Sequence, residues 1–195
     1  MKKRFLLTLL SFIMAFSASA QEHLTFRGIE IDGPLPAFVQ HLNKLGYVVI
    51  EERENDCLLK GVFSGVDDCV IYVLTTPNSH IVCQVAVFLP ATDSWAVLKS
   101  SYLEYRDLLI SKYGTPSVDR KSFISPYYEG DGYEMQALSN DKCKYLIRIH
   151  ADLGNVSLMI NSKDYKRGNL LISYEDAQNA EIKEQEQQKQ KMSDL

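Results

Sequence analysis

The sequence predicts an α+β protein of two tandem units, each with one helix packed on a meander of three or four antiparallel strands. Three observations predict this fold class. Two amphipathic helical patterns occur, each is followed by short segments rich in Val, Ile and Tyr, and the turns between those segments are too short for parallel crossovers. A polar, solvated C-terminal helix is predicted to follow the second unit.

The first twenty residues have the parts of a secretory signal peptide in the expected order. Residues 2–4 are basic, residues 5–16 are almost wholly apolar, and Ala18-Ser19-Ala20 is a small-x-small cleavage site. The apolar run is shorter than the roughly 20 residues that a membrane-spanning helix needs. We therefore expect export, cleavage near Ala20, and a mature protein that is periplasmic or secreted.

Loss of the signal peptide would leave an acidic protein. The formal net charge falls from −4 to −7 when the three basic residues at 2–4 are removed. Affinity for nucleic acid comes largely from Lys and Arg that neutralise phosphates, and anionic membrane surfaces also attract basic residues. We therefore expect a soluble protein with no nucleic-acid partner and no membrane span.

The first unit is predicted at residues 21–91. Asp32-Gly33-Pro34 is typical of a helix start, and apolar residues follow at helical spacing until Gly46, which ends the helix. Strands are then predicted at about Tyr47–Glu52, Cys57–Phe63, Cys69–Thr75 and His80–Leu89. The last two strands are apolar on both faces. We expect the second unit or the tail to cover the outer face, with an exposed interaction patch or homodimer surface as the alternative.

The second unit is predicted at residues 92–174. Its helix should start near Asp93 or Ser94 and end at Tyr113, before Gly114. Strands are predicted at about Ser117–Phe123, Gly132–Leu138, Cys143–Ile149, Asn155–Asn161 and Leu170–Tyr174. In the strand at Cys143–Ile149, apolar and polar residues largely alternate, which indicates one buried face and one solvated face.

The tail, residues 175–195, is rich in Glu, Gln and Lys, and Ser173 with Asp176 resembles a capping box for its helix. The two units also share a short sequence match. Asp67-Asp68-Cys69 and Asp141-Lys142-Cys143 each open a predicted strand, 74 residues apart. Duplication of one unit and coincidence both explain the match.

The order of elements across Asp32–Tyr174 resembles the β-lactamase inhibitory protein fold, in which two tandem helix-plus-antiparallel-sheet units form a saddle. It is also similar to the small outer-membrane assembly lipoproteins, which have a single unit. The chain differs from both in having one clear helix per unit where those proteins have two, and in lacking a lipid-bearing Cys. The resemblance implies an architecture and carries over no functional residue.

Four cysteines in an exported protein indicate disulfide pairing, and four cysteines allow three connectivities. Counting outward from the turns places Cys57 and Cys83 two strand spacings apart, roughly 9.5 Å, which is beyond disulfide reach. Cys69 and Cys143, at matching positions of the two units, form the predicted bridge. Four buried free thiols are the alternative.

No motif for catalysis, metal binding or nucleotide binding is recognisable. The four histidines lack the spacing of a zinc site, and the chain has no P-loop, no dinucleotide-binding glycine pattern and no G-x-S-x-G elbow. We therefore expect no cofactor, no metal site and no catalytic residue.

The most unusual stretch of sequence is residues 127–134, Tyr-Tyr-Glu-Gly-Asp-Gly-Tyr-Glu. Tyrosines stack on peptides or carbohydrates, which makes this a candidate binding loop. The candidate binding residues are Tyr127, Tyr128, Asp131 and Tyr133. A long hairpin turn is the simpler interpretation, because the glycines and aspartate between the tyrosines supply turn chemistry.

The expected function is that of a secreted or periplasmic protein, not an enzyme, that binds a macromolecular partner. The partner would be an envelope protein or peptide, and the role inhibitor-like or in envelope assembly. One alternative is a small hydrolase of envelope polymers that uses Glu129, Asp131 or Glu134 as acid or base. Another is a structural homodimer.

Overall fold

The structure, a computed structural model, describes residues 22–193, so the predicted signal peptide at residues 1–20 lies outside the described residues. Its four helices and large antiparallel sheet confirm an α+β fold. The described chain begins with a small hairpin, β1 at Thr25–Phe26 and β2 at Ile29–Glu30. Within residues 22–193, no helix is both long enough and apolar enough to cross a membrane.

The main sheet has eight strands, four from each predicted unit. The first unit contributes β3 at Val48–Glu52, β4 at Asp56–Phe63, β5 at Val66–Thr75 and β6 at Val82–Phe88. The second contributes β7 at Val118–Phe123, β8 at Cys143–Ala151, β9 at Gly154–Ser162 and β10 at Gly168–Asp176. The order across the sheet is β3-β4-β5-β6-β10-β9-β8-β7. The two sets of strands therefore lie side by side and meet where β6 pairs with β10.

The helices are α1 at Leu35–Lys44, α2 at Trp95–Tyr113, α3 at Glu134–Ser139 and α4 at Ala177–Ser193. The predictions for α1, α2 and a helical tail are confirmed. The Ser94 hydroxyl caps α2 by accepting a hydrogen bond from the Val97 amide, 3.4 Å away. The buried side chains of α2 form one stripe along the helix, because they are four, three and four residues apart: Leu98, Tyr102, Tyr105 and Leu109.

The strand predicted at Gly132–Leu138 is wrong, because most of this segment forms the short helix α3. Gly132 has a positive φ of 79°, which breaks an extended backbone before the helix begins. Ala137 and Leu138 are then buried together on one side of the turn. Packing of α3 on β8, β9 and β10 outweighs the weak alternation that suggested a strand.

The sheet buries one face across its central strands. One row of paired residues crosses five strands on that face, and each member is at most 1 % exposed: Ile71, Val87, Ile172, Leu158 and Ile147. Helices α1, α2 and α3 pack on this side, which we call the covered face. The alternation predicted for Cys143–Ile149 is confirmed, since its odd-numbered residues are buried and its even-numbered residues are not.

The opposite side, which we call the open face, is not covered by the second unit. Val70, Tyr72, Leu74 and Phe88 remain partly exposed, whereas the small Ala86 between Tyr72 and Ser173 is buried. The expectation that the second unit would cover this surface is wrong because its strands extend the sheet sideways through β10. The tail helix α4, the other predicted cover, does reach this face at one end of β6 and β10, where Lys183 donates a hydrogen bond to Gln84 (3.4 Å) and lies 3.7 Å from Glu175.

One buried carboxylate joins the segment before β1 to the start of α4. Asp176 is 0 % exposed and accepts hydrogen bonds from the amides of Leu24 (2.8 Å) and Asn179 (3.0 Å) and from the His23 ring (3.1 Å). Asp176 itself therefore caps α4. The predicted capping box is wrong, because Ser173 lies inside β10 and its hydroxyl accepts a hydrogen bond from Gln84.

Replacement of Asp176 should destabilise the fold strongly. Asp176→Ala leaves two buried amides and the half-buried His23 ring without their acceptor, which should lower the free energy of unfolding by about 3 kcal/mol. Chemical denaturation measures this loss. Asp152→Ala, at an exposed turn between β8 and β9, is the matched control and should change stability by less than about 0.5 kcal/mol. Equal effects of the two substitutions would contradict the role of Asp176.

The same carboxylate should make stability depend on pH. Burial alone would lower the pKa of His23, but the hydrogen bond and charge of Asp176, with the charges of Asp32 and Glu30, raise it above its usual value. A histidine whose pKa is higher in the folded than in the unfolded protein stabilises the folded state when it is protonated. This stabilisation is complete below the unfolded-state pKa of about 6.5 and is lost as pH rises through the folded-state pKa.

His23→Gln should therefore cost most stability in mildly acidic solution. The difference in unfolding free energy between the wild type and this variant should be largest below about pH 6 and should shrink towards alkaline pH. Denaturation curves at a series of pH values measure it. His41→Gln, on the exposed side of α1, should show no such trend, and a pH-independent difference for His23→Gln would refute the linkage.

Candidate binding surfaces

The loop between β7 and β8 contains the candidate binding residues, and its own acids hold its shape. The two carboxylate oxygens of Asp131 accept hydrogen bonds from the amides of Tyr128 (3.0 Å) and Tyr133 (2.7 Å). Glu134 accepts one from the amide of Gly130, at 2.8 Å. Asp131 is thus placed as a turn-forming residue, in agreement with the turn interpretation of this segment.

The three tyrosines of the loop are placed differently. Tyr128 and Tyr133 are 65 % and 62 % exposed, whereas Tyr127 is half-buried and its hydroxyl accepts a hydrogen bond from the Asn140 amide group at 3.1 Å. Tyr127 and Tyr128 line one open cleft, of about 520 Å³, and Tyr133 does not. The structure therefore brings together two of the four candidate residues at one cleft.

The cleft lies between the loop, α2 and the edge strand β7. Its other lining side chains come from all three elements and from β8: Lys99, Leu103, Lys121, Ser122, Phe123, Glu129 and Tyr145. Tyr145 forms its base and makes edge-to-face contacts with Trp95 and Tyr102, with ring centroids 5.2 and 5.3 Å apart. Sequence reasoning missed Lys99, Lys121 and Tyr145, because packing of α2 on the sheet and the register between β7 and β8 bring them to the loop.

Glu129 is the acid that faces this cleft. Its carboxylate pairs with the Lys99 ammonium (2.5 Å) and accepts a hydrogen bond from the Tyr145 hydroxyl (3.0 Å). The hydrogen bond from Lys99, with smaller effects of Tyr145 and Lys121, lowers the pKa of Glu129 despite some burial. Glu129 is therefore ionised at neutral pH and is poorly suited to act as a general acid. Among residues 22–193, no three His, Cys, Asp or Glu side chains are grouped to hold a metal ion.

A second candidate surface is the open face of the sheet. Strand pairing places five apolar residues in one row across five adjacent strands: Val70, Phe88, Leu171, Met159 and Leu146. We call this set the apolar row; its four strand spacings give a length of about 19 Å. Each of its side chains is partly exposed. Leu58, Tyr72 and Leu74 extend the apolar surface along β4 and β5.

Charged residues stand at both ends of the apolar row. At the β4 end, Lys60 lies opposite Val70 on the neighbouring strand. Its ammonium is neutralised by the Asp68 carboxylate, 2.9 Å away. At the β7 end, Arg120 lies opposite Leu146 of β8. Arg148 is two residues after Leu146 on β8 and is on the same face. Both arginines are exposed, and neither guanidinium has an acidic partner in the described part of the chain.

The four cysteines are free and buried, so the bridge predicted between Cys69 and Cys143 is wrong. Cys69 lies on β5 and Cys143 on β8, four strand spacings apart, about 19 Å. Burial raises the pKa of Cys57 and Cys83 to about 11, and that of Cys143 to about 12. Protonated, buried thiols react slowly, so the cysteines act as small apolar core residues.

Comparison of the chain with models of protein families, with curated proteins and with solved structures gives no match. The assignment of function therefore rests on the surfaces of the molecule itself.

Counting the thiols tests the cysteine assignment. The protein unfolded in guanidinium without reductant should take up four iodoacetamide groups, whereas the native protein should take up almost none over the same time. Mass spectrometry of the intact chain gives both counts. Two labels in the unfolded protein would indicate one disulfide and contradict this arrangement.

Proposed function

We propose that this is an exported, non-enzymatic protein that binds a macromolecular partner, an envelope protein or peptide, on the open face of its sheet. The role is inhibitor-like or in envelope assembly. The observation that carries the proposal is the apolar row, which lies in register across five strands and is left partly exposed. Export is supported by the signal-like residues 1–20.

The composition of the open face supports binding. An antiparallel sheet that is covered on one side usually presents polar residues to water on the other side. Ser157 and Ser173 follow this rule in the row next to the apolar row. Val70, Phe88 and Leu171 do not, since they present apolar surface to solvent at the centre of the sheet. Contiguous apolar surface of this kind is typical of interaction sites.

The proposal includes two tandem units that form one saddle-like sheet. Each unit has a helix followed by four strands, and the last strands of the two units, β6 and β10, meet at the centre. The match between Asp67-Asp68-Cys69 and Asp141-Lys142-Cys143 gives no support, because Cys69 lies on the third strand of its unit and Cys143 on the second. The mirrored strand order is therefore the argument for two units, and it agrees with the resemblance to β-lactamase inhibitory protein.

Photo-crosslinking from defined positions tests where the partner binds. Benzoylphenylalanine at Met159 or Leu171, on the open face, should give a crosslinked species in the cells that produce the protein. The same probe at Leu108, an exposed residue of α2 on the opposite side, is the matched control and should give none. A fourth variant with the probe at Tyr133 tests the tyrosine loop.

Each outcome of this experiment is decisive for the binding surface. Adducts from Met159 and Leu171 alone support the proposal, whereas adducts from Tyr133 alone assign binding to the loop. Absence of adducts from both open-face positions refutes the proposal. Adducts whose second component is the same chain, with a dimer in light scattering, assign the face to a homodimer instead. Circular dichroism confirms that each variant is folded.

A further inference from the structure

We infer that the partner of the open face is a protein segment that carries carboxylates beside apolar side chains, and that Arg120 and Arg148 bind those carboxylates. This inference rests on the proposed function and specifies the chemistry of the partner at the same surface. The observation behind it is the juxtaposition of two unpaired arginines with one end of the apolar row.

Register places the two arginines close together. Arg120 of β7 is paired with Leu146, and Arg148 of β8 is paired with Val118, so the arginines are diagonal neighbours on one face. Diagonal neighbours on adjacent strands are about 7 Å apart, within reach of one another's long side chains. Two like charges at this distance repel each other unless an anion lies between them. The sheet thus holds two guanidinium groups beside a partly exposed leucine.

The acids near this arginine pair already have other partners. Asp119 lies between Val118 and Arg120 in sequence, but its side chain is on the covered face and pairs with Arg106 of α2 at 2.5 Å. Asp141 pairs with Lys144. Elsewhere on the sheet, the cations near the open face are neutralised within the chain, Lys60 on β4 by Asp68 and Lys183 of α4 by Glu175 on β10. Arg120 and Arg148 are therefore the uncompensated charges of this face within residues 22–193.

A carboxylate suits this position better than other anions. Guanidinium groups bind carboxylates through two parallel hydrogen bonds, and adjoining apolar surface strengthens such pairs by excluding water. A nucleic acid would need a wider basic surface, because its affinity grows with the number of phosphates that are neutralised. The open face instead continues from the arginines into Leu146, Met159 and Leu171. Basic surface followed by apolar surface fits a partner segment that has acidic residues at one end and apolar residues over the length of the apolar row, about 19 Å.

Reversing the charges of Arg120 and Arg148 in the protein that carries the crosslinking probe tests this inference. With benzoylphenylalanine at Met159, the double variant R120E/R148E should reduce the yield of crosslinked partner about tenfold or more, because acids would then face acids. R120K/R148K keeps both charges but loses the two parallel hydrogen bonds of each guanidinium, so it should reduce the yield less than the charge reversal does. K44E/K166E reverses two exposed lysines, one on α1 at the covered side and one in the turn between β9 and β10, produces the same change in net charge, and should leave the yield unchanged.

The crosslinked peptide identifies the chemistry of the partner. Mass spectrometry should locate the adduct in a segment that contains both apolar residues and Asp or Glu. An adduct that forms at equal yield in R120E/R148E, or in a segment without acids, overturns this inference and leaves the proposed function intact. A nucleic-acid adduct, or one to a second copy of this chain, also overturns it. Absence of any adduct from Met159 and Leu171 in the otherwise unmodified protein overturns the proposed function itself.

Discussion

The pairing of β6 with β10 is the interaction on which the rest of the structure depends. These strands are far apart in sequence, and their antiparallel register, from Leu171 with Phe88 to Glu175 with Gln84, joins two four-stranded sets into one sheet. A shift of one residue would move every side chain of one set to the opposite face. Formation of the single core and continuity of the apolar row therefore depend on the same five residue pairs.

This register also explains why the two faces differ. On the covered face, Val87 and Ile172 are paired beneath the helices and join the core that extends across both halves. On the open face, Phe88 and Leu171 are paired and remain partly exposed. Helices α1, α2 and α3 pack on the covered face, whereas α4 is held by Asp176 at the end of β10 and reaches the open face where Lys183 contacts Gln84 and Glu175.

The two candidate surfaces have different physical characters. At the tyrosine cleft, Glu129, Lys99 and Tyr145 satisfy one another, and Asp131 shapes the loop. At the open face, apolar side chains and an arginine pair remain without partners in the described chain. Groups that are already paired gain little by binding, whereas exposed apolar surface and uncompensated charge gain from desolvation and pairing. The open face is therefore the stronger candidate for partner binding.

The sequence by itself determined most of the local structure of this protein. Helical spacing and end signals predicted α1 and α2 to within a residue or two, and alternation in Cys143–Ile149 predicted which side chains are buried. These features depend on neighbouring residues. Only the tertiary structure decided that the two halves form one sheet, that Cys69 and Cys143 lie four strands apart, and that Arg120 meets the apolar row. Such contacts depend on pairing between distant strands, and no short stretch of sequence encodes that register.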